Sequence, residues 1–340
     1  MKLIKSVLIV IVSSLLLLSL FGLYVYKSPA LSIGKESYVF IDSADNIESI
    51  SKKLESNYGL KFPFIFERIS ERINLNRWVK AGRYTVNPSM NLVELAKIFR
   101  EGKMKTVNLV IRPLISLEKL AALCGQKLEG DSSDFYKILN DTAFCQKYGF
   151  IKETIYAMVL PDTYNLYWHT EADELIIKMA LEYQKYWNAE RREKAKALGL
   201  STIEVSILAS IVSKETNKTD EMPVVAGLYL NRLQMGMPLQ ADPTIKFALN
   251  EPGLRRVLKT HLSIESPYNT YTNKGLPPGP ICIASKQSID CVLNATKHAY
   301  LYMCAKEDFS GYHNFAKDYN VHLQNAKRYQ KALNKNGITE

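Results

Sequence analysis

Apolar residues are spread unevenly along this chain. Residues 6–26 (SVLIVIVSSLLLLSLFGLYVY) form one uncharged apolar run, and everything after it mixes short apolar stripes with polar turns. As a helix rising about 1.5 Å per residue, the run reaches roughly 30 Å, the thickness of a bilayer's hydrocarbon. A cleaved signal peptide needs a shorter apolar stretch followed by small residues at a cutting site, which Lys27, Ser28 and Pro29 do not supply. The pattern therefore predicts one membrane-spanning helix. Lys2 and Lys5 ahead of it favour a cytoplasmic N-terminus, against the opposing pull of Lys27, and put the rest of the chain outside the cytoplasm.

Beyond the anchor, the periodicity predicts a short linker and then two units. Residues 37–41 (SYVFI) read as a strand, and Ser43 is placed to cap a helix carrying Ile47, Ile50 and Leu54 on one face. Residues 81–86 then give a turn and strand, with Asn91 capping a helix through Leu92, Leu95, Ile98 and Phe99 that closes at Gly102. Residues 106–113 alternate like a strand, so a boundary is expected near residue 105. Helices follow over 117–148, with a turn at 130–133, and then over 172–198, 202–216 and 223–235. Loops rich in Pro, Gly, Tyr and Asn come next, before a strand at 300–305 and a closing helix at 321–333. The class is α+β, with helices dominating the later part.

The net charge of +10 comes from lysines scattered through amphipathic segments, without the basic tract or aromatic-basic interleaving of a nucleic-acid groove. No nucleic-acid partner is expected. Outside the cytoplasm, the same charge suits polymers bearing carboxylates or anionic headgroups. The five cysteines (Cys124, Cys145, Cys282, Cys291 and Cys304) lack metal-ligand spacing, so neither a structural metal nor thiol catalysis is expected, and Cys282 with Cys291 is the one candidate pair. There is no phosphate-binding glycine loop, zinc motif or Ser/His/Asp order, and no cofactor is implied.

The chemistry points instead to a carboxylate. On the helix around residues 203–216, Leu208, Ile211 and Val212 lie seven, four and three residues before Glu215, so Glu215 shares their apolar stripe while Ser210 and Lys214 face elsewhere. Burial disfavours the charged form and keeps a carboxyl protonated near neutral pH, fit to donate to a leaving oxygen. Position alone also fits a glutamate at a fraying helix end. The following segment, NRLQMGMPLQADPTI, uses Gly236, Pro238 and Pro243 to force a turn that presents Gln240, Asp242 and Thr244. Further on, SPYNTYTNKGLPPGPI holds Tyr268, Asn269, Thr270 and Tyr271 in a stiff, polar stretch. Aromatic faces with amides and hydroxyls suit sugar rings, and a purely structural loop fits the same residues. His313 in GYHNFA reads as a hydrogen-bonded structural histidine.

The segments ASIVSKET, LYLNRLQMGMPLQADPT and YNTYTNKGLPPGPI, in this order and joined by PDTY at 161–164, resemble the endolytic murein transglycosylases of the YceG-like family over most of residues 105–330. The resemblance implies an anchor with its cytoplasmic tail (1–27), a linker and small LysM-like α/β subdomain (28–105) and a larger helix-rich α+β catalytic domain (106–340). AGRYTVNPSMNLVELAKIFREGK matches the second half of the LysM-like part. It also implies that Glu215 is the catalytic acid and base, and that no metal or cofactor takes part. Gln240, Asp242, Thr244, Tyr268, Asn269 and Tyr271 are then expected to line a glycan cleft.

The implied reaction cuts within peptidoglycan strands, between N-acetylmuramic acid and N-acetylglucosamine, leaving 1,6-anhydro ends and terminating strand elongation. The implied setting is the inner membrane, crossed once, beside peptidoglycan synthases. Two departures stand out. Relatives often carry two acidic residues in the segment matching SIVSKET, whereas Ser213 here leaves Glu215 alone. Tyr156 and Ala157 stand where many relatives carry a Glu and a Gly ahead of PDTY. Two other readings remain open: a muramidase-type hydrolase using Asp242 as second carboxylate, and a non-catalytic peptidoglycan-binding scaffold.

Overall fold

The computed structural model describes residues 2–251, 253, 254 and 256–336. Residue 1 of the expected anchor segment and residues 337–340 of the expected catalytic domain lie outside the described residues. The fold is mixed α and β, helix-rich with small sheets, and the chain divides into two compact units. The first runs to Leu109 and also takes in Lys127–Gly130 and Asn165–Glu171; the second comprises Val110–Gln126, Asp131–Tyr164 and the chain from Ala172 onward.

The first unit begins with the helix Lys2–Lys27, whose apolar side chains are exposed on every side over most of its length. A helix that is apolar all round needs a nonaqueous surrounding, and this one is long enough to cross a bilayer. The chain after it is not a free linker. The Ala30 N–H donates to the Met90 carbonyl (2.7 Å), the Lys61 N–H to Ala30 (2.8 Å) and the Ser32 N–H to Tyr58 (2.9 Å). Val25, Ala30 and Leu31 are buried in the unit's core.

That core lies against a three-stranded antiparallel sheet. Ser37–Ile41 pairs with Gly82–Val86, in a register that sets Ser37 opposite Val86, and Gly82–Val86 pairs in turn with Met104–Lys105. Alternation sends Val39, Ile41, Tyr84 and Val86 inward onto Ile50 and Leu54 of the helix Ile47–Tyr58, and onto Leu92, Leu95 and Phe99 of the helix Leu92–Arg100. Phe99 meets the Tyr84 ring edge-on at 5.1 Å and the Phe66 ring at 6.5 Å.

Both main helices open with reciprocal caps. Asn91 and Glu94 exchange side-chain and backbone bonds at 3.0 Å, as the sequence suggests for Asn91. The cap of the helix Ile47–Tyr58 is Asn46 with Ser49, not Ser43. Ser43 lies three residues early in a turn, and its N–H and hydroxyl both donate to Glu129 (2.6 and 2.9 Å). The helix Pro63–Arg72 is not foreshadowed by the apolar pattern.

The second unit is built around the helix Thr202–Glu215, which packs against Met222–Gln234, Asp242–Ala248 and Lys286–Leu293. Every residue from Val205 to Ser213 is buried, so the expected single stripe is corrected: Ser210 does not face away. Its hydroxyl donates to the Ile207 carbonyl (2.7 Å) and accepts the Ile281 N–H (3.0 Å). Ser206 and Ser213 donate back to the carbonyls four residues earlier, which removes the cost of burying their hydroxyls.

The expected helix over 172–198 breaks into Ala172–Tyr186 and Ala189–Ala197, because Trp187 is buried and Asn188 caps the second piece through the Arg191 N–H. A hairpin, Tyr302–Ala305 with His313–Ala316, is covered by the helix Tyr319–Lys335. The candidate cysteine pair is also corrected: all five cysteines are unpaired thiols, and Cys282 directs its sulfur at the Ser210 carbonyl (3.7 Å).

Removing the ring of Phe99 leaves Tyr84 and Phe66 facing a cavity, so Phe99→Ala is expected to destabilise the first unit by about 3–5 kcal/mol. Urea denaturation of the full chain in detergent, with amide exchange read in the strands Ser37–Ile41 and Gly82–Val86, checks this.

Candidate active site

Glu215 is the last residue of the buried helix Thr202–Glu215 and opens into a cleft of about 240 Å³. Three elements and the loop that carries Tyr271 shape that cleft. The helix Met222–Gln234 contributes Tyr229 and Arg232, three residues apart and so on one face. The turn into the helix Asp242–Ala248 contributes Gln240 and Asp242, and the hairpin contributes Met303 and His313.

The Tyr229 hydroxyl donates to Glu215 Oε1 at 2.8 Å. Tyr229 is itself buried, and burial together with the neighbouring Glu215 charge pushes its phenol well above the ordinary value, so it remains a donor. Glu215 keeps part of its surface open to the cleft, yet enclosure by protein dominates its titration. Burial pushes the carboxyl up to about 7; the Tyr229 bond holds it down, Asp242 adds to the rise, and His313 and Lys246 oppose it. A carboxyl balanced near neutrality can give a proton and take one back.

Arg232 fastens the surrounding loops. Its Nε donates to the Leu301 carbonyl (2.7 Å), and Nη1 donates to Leu239 (2.8 Å), Pro238 (3.2 Å) and Gln240 Oε1 (3.3 Å). The hairpin is held from its other end by Glu221, whose carboxylate accepts the His313 N–H (2.7 Å) and lies 2.8 Å from His313 Nδ1. His313 is thus the hydrogen-bonded histidine expected from the sequence, and it also faces the cleft.

Of the residues singled out in the sequence, Gln240, Asp242 and Tyr271 share the cleft with Glu215. Gln240 holds a left-handed backbone (φ 52°), its N–H donating to the Thr270 carbonyl (2.9 Å), and the Tyr271 hydroxyl donates to Asp242 Oδ1. Thr244, Asn269 and Tyr268 do not line it, a correction to the expected set. Thr244 is fully buried, its hydroxyl donating to the Ala241 carbonyl (2.7 Å) and bonded to Thr270 Oγ1 (2.9 Å). Asn269 spends its amide on the Leu262 and Ile264 carbonyls and its oxygen on the Tyr271 N–H. Tyr268 packs on Phe247, with ring centroids 4.7 Å apart. The short polar side chains reach backbone before they reach solvent, so they fix the loops that carry Gln240, Asp242 and Tyr271.

Tyr229 and Arg232 are cleft residues that the sequence pattern does not single out. Their spacing is ordinary for a core helix, and only the fold brings their polar ends to Glu215. Among the described residues, no group of three His, Cys, Asp or Glu side chains is placed to hold a metal ion.

The raised Glu215 carboxyl has a sign that stability can test. The folded state holds this proton up to about pH 7 and the unfolded chain only to its ordinary value, so folding binds a proton in between and stability falls as pH rises across that window. Glu215→Gln removes the titration. The thermal midpoint of the variant relative to the parent is expected to rise from about pH 5 to about pH 8, read by calorimetry.

The family model described as the YceG-like family matches residues 39–328. Relatives from two species bear the name endolytic murein transglycosylase. One, from Streptococcus pneumoniae (strain D39), is 29% identical over 302 residues, covering 78% of this chain and 54% of its own length. The other, from Bacillus subtilis (strain 168), is 26% identical over 309 residues, covering 86% of this chain and 85% of its own. This chain thus spans about half the length of the pneumococcal relative. The crystal structure of a yceG-like protein from Listeria monocytogenes superposes with a TM-score of 0.56 at 28% identity, covering 85% of this chain and 99% of that one. The match across both compact units settles the grouping: this chain belongs to the YceG-like family.

Proposed function

We propose that this chain is a membrane-anchored endolytic murein transglycosylase with Glu215 as its acid and base. The observation that carries the reading is the enclosed Glu215 carboxyl poised near pH 7 in a cleft lined by Gln240, Asp242 and Tyr271, in a chain whose relatives bear that name. Protonated Glu215 gives its proton to the glycosidic oxygen between N-acetylmuramic acid and N-acetylglucosamine, and the C1–O bond breaks. The resulting carboxylate then takes the proton of the muramic C6 hydroxyl as that oxygen bonds to C1, which closes the 1,6-anhydro ring and restores the acid. No water is consumed, and an internal nucleophile lets one carboxyl serve both steps.

Gln240 and Tyr271, which line the cleft, are read as partners for sugar hydroxyls, and Asp242 as the group that favours the forming oxocarbenium. Asp242 also supports a second reading, a hydrolase in which it activates water; its shared cleft with Glu215 is the observation that favours it.

The helix Lys2–Lys27 is read as a single inner-membrane span with its N-terminus in the cytoplasm, keeping the enzyme near strands as they leave their synthases. Residues 28–105 are read as the linker and a LysM-like subdomain that holds glycan, and residues 106–340 as the catalytic domain. The first unit, in which three helices lie between the strands Ser37–Ile41 and Gly82–Val86 and whose first stretch ends at Leu109, supports that division.

Purified glycan strands incubated with the full chain in detergent are expected to yield anhydro ends by mass spectrometry. Glu215→Gln is expected to lose at least about 100-fold in rate. Reducing ends instead identify the hydrolase, and no cleavage identifies a scaffold. The rate is also expected to fall on an alkaline limb near pH 7, as the acid form is lost. In Tyr229→Phe the bond that favours the carboxylate is gone, so that limb moves to higher pH.

A further inference from the structure

The first unit carries an aromatic surface beside the anchor that neither the fold nor the cleavage reaction uses. Phe62 meets Phe21 edge-on at 6.0 Å and Tyr24 at 6.3 Å, both on the apolar helix Lys2–Lys27. Phe21 lies six residues before the end of that helix and Tyr24 three, so these contacts fall roughly 5–9 Å inside its outer end. The apolar part of the helix, Ile4–Lys27, covers 24 residues, or roughly 36 Å, against about 30 Å of hydrocarbon. The level of Phe62 is therefore the boundary between headgroups and acyl chains.

The helix Pro63–Arg72, directly after Phe62, carries side chains suited to that depth. Phe64 is 66% exposed, although it belongs to a well-packed unit, and Arg68 lies over its ring at 5.1 Å. Lys61, Arg68 and Arg72 are exposed around it, with Lys27 at the end of the anchor, against Glu67 and with Glu71 bonded to Arg68 at 3.0 Å. The same helix turns its other face inward through Phe66 and Ser70. Phe62 itself is held at φ 59°, a conformation that costs a bulky residue energy and orients the turn toward the anchor. The placement is fixed, because Ala30 and Ser32 bond the chain after the anchor into the same unit.

Resting on the reading of Lys2–Lys27 as a membrane span, we propose that the turn and first helical turn at residues 61–68 form a second, interfacial membrane contact. Phe62 and Phe64 enter the acyl boundary of the leaflet on the enzyme side, and Lys61, Arg68 and Arg72 meet lipid phosphates. Continuity with the span through Phe21 and Tyr24 identifies the occupant as lipid, and the basic rim fits anionic headgroups.

The test uses the full chain reconstituted in vesicles of phosphatidylglycerol and phosphatidylethanolamine, with a benzophenone amino acid in place of Phe64, Leu17 or Lys52 in turn. Leu17 is an exposed residue of the span, and Lys52 an exposed residue of the same soluble unit. Illumination is expected to give lipid adducts at 17 and 64, with the yield at 64 several-fold above that at 52. Adducts at 17 with none at 64, or equal yields at 64 and 52, overturn the interfacial contact and leave the anchor standing. No adduct at 17 overturns the anchor and the contact together. As an independent readout, Phe64→Glu is expected to lower the adduct yield at a benzophenone placed at Phe62 several-fold while cleavage of glycan strands in detergent stays unchanged.

Discussion

A carboxylate enclosed by protein is unstable unless something favours its charge, and on Glu215 burial outweighs the groups that favour the charge, which leaves the carboxyl raised to about 7. The helix Thr202–Glu215 runs through the centre of its unit, so its last residue emerges among packed side chains and not into water. Desolvation pushes the proton on, while the Tyr229 hydroxyl, two turns along the neighbouring helix, draws it off. Each influence depends on much of the fold. The first requires the neighbouring helices to seal the buried one, and the second requires Met222–Gln234 to lie at one rotation about its axis. Opening the seal lets the carboxyl fall back toward the ordinary range, where it is no acid near neutral pH, whereas losing the Tyr229 bond raises it further.

The surrounding carboxylates show why this one is suited to moving a proton. Glu221 has both oxygens engaged by His313, through the backbone N–H and through Nδ1, and so holds the hairpin against the helix. Asp242 accepts the Tyr271 hydroxyl at the start of its own helix. Arg232 spends its donors on carbonyls and on Gln240, so no strong ion pair pins Glu215 as a permanent anion. Apart from Tyr229, which bonds Glu215 directly, the polar groups of the cleft thus hold loops in place or act on its charge from a distance.

The sequence makes some of this legible and hides the rest for identifiable reasons. Glu215 can be found because three apolar residues precede it at helical spacing, although a stripe is an incomplete description of a helix buried on all sides. The difference lies in the serines: Ser206, Ser210 and Ser213 look solvent-facing by composition, but their hydroxyls satisfy themselves on nearby carbonyls. The same preference takes Thr244 and Asn269 out of the cleft, since their side chains bond backbone instead. Ser43 resembles a cap because it precedes an apolar run, and its actual partner, Glu129, lies 86 residues away where no local rule reaches. Tyr229 and Arg232 leave no local signal, since a tyrosine and an arginine on one face of a core helix are commonplace.

The segment between the anchor and the first strand has the composition of a linker, with Ser, Pro, Gly and Lys in quick succession. Were residues 28–36 flexible, nine residues would let the first unit wander roughly 15–18 Å from the end of the span. Instead Val25, Ala30 and Leu31 are core residues, and backbone bonds from Ala30, Ser32 and Lys61 stitch the segment to two separate parts of the unit. Burial of three side chains and the ordered backbone bonds outweigh the entropy that a tether would have kept. The span and the unit are consequently one folded body. For a helix that crosses a bilayer this means that its tilt would pass directly to the sheet Ser37–Ile41, Gly82–Val86 and Met104–Lys105, with the distance between them set by packing and not by chain length.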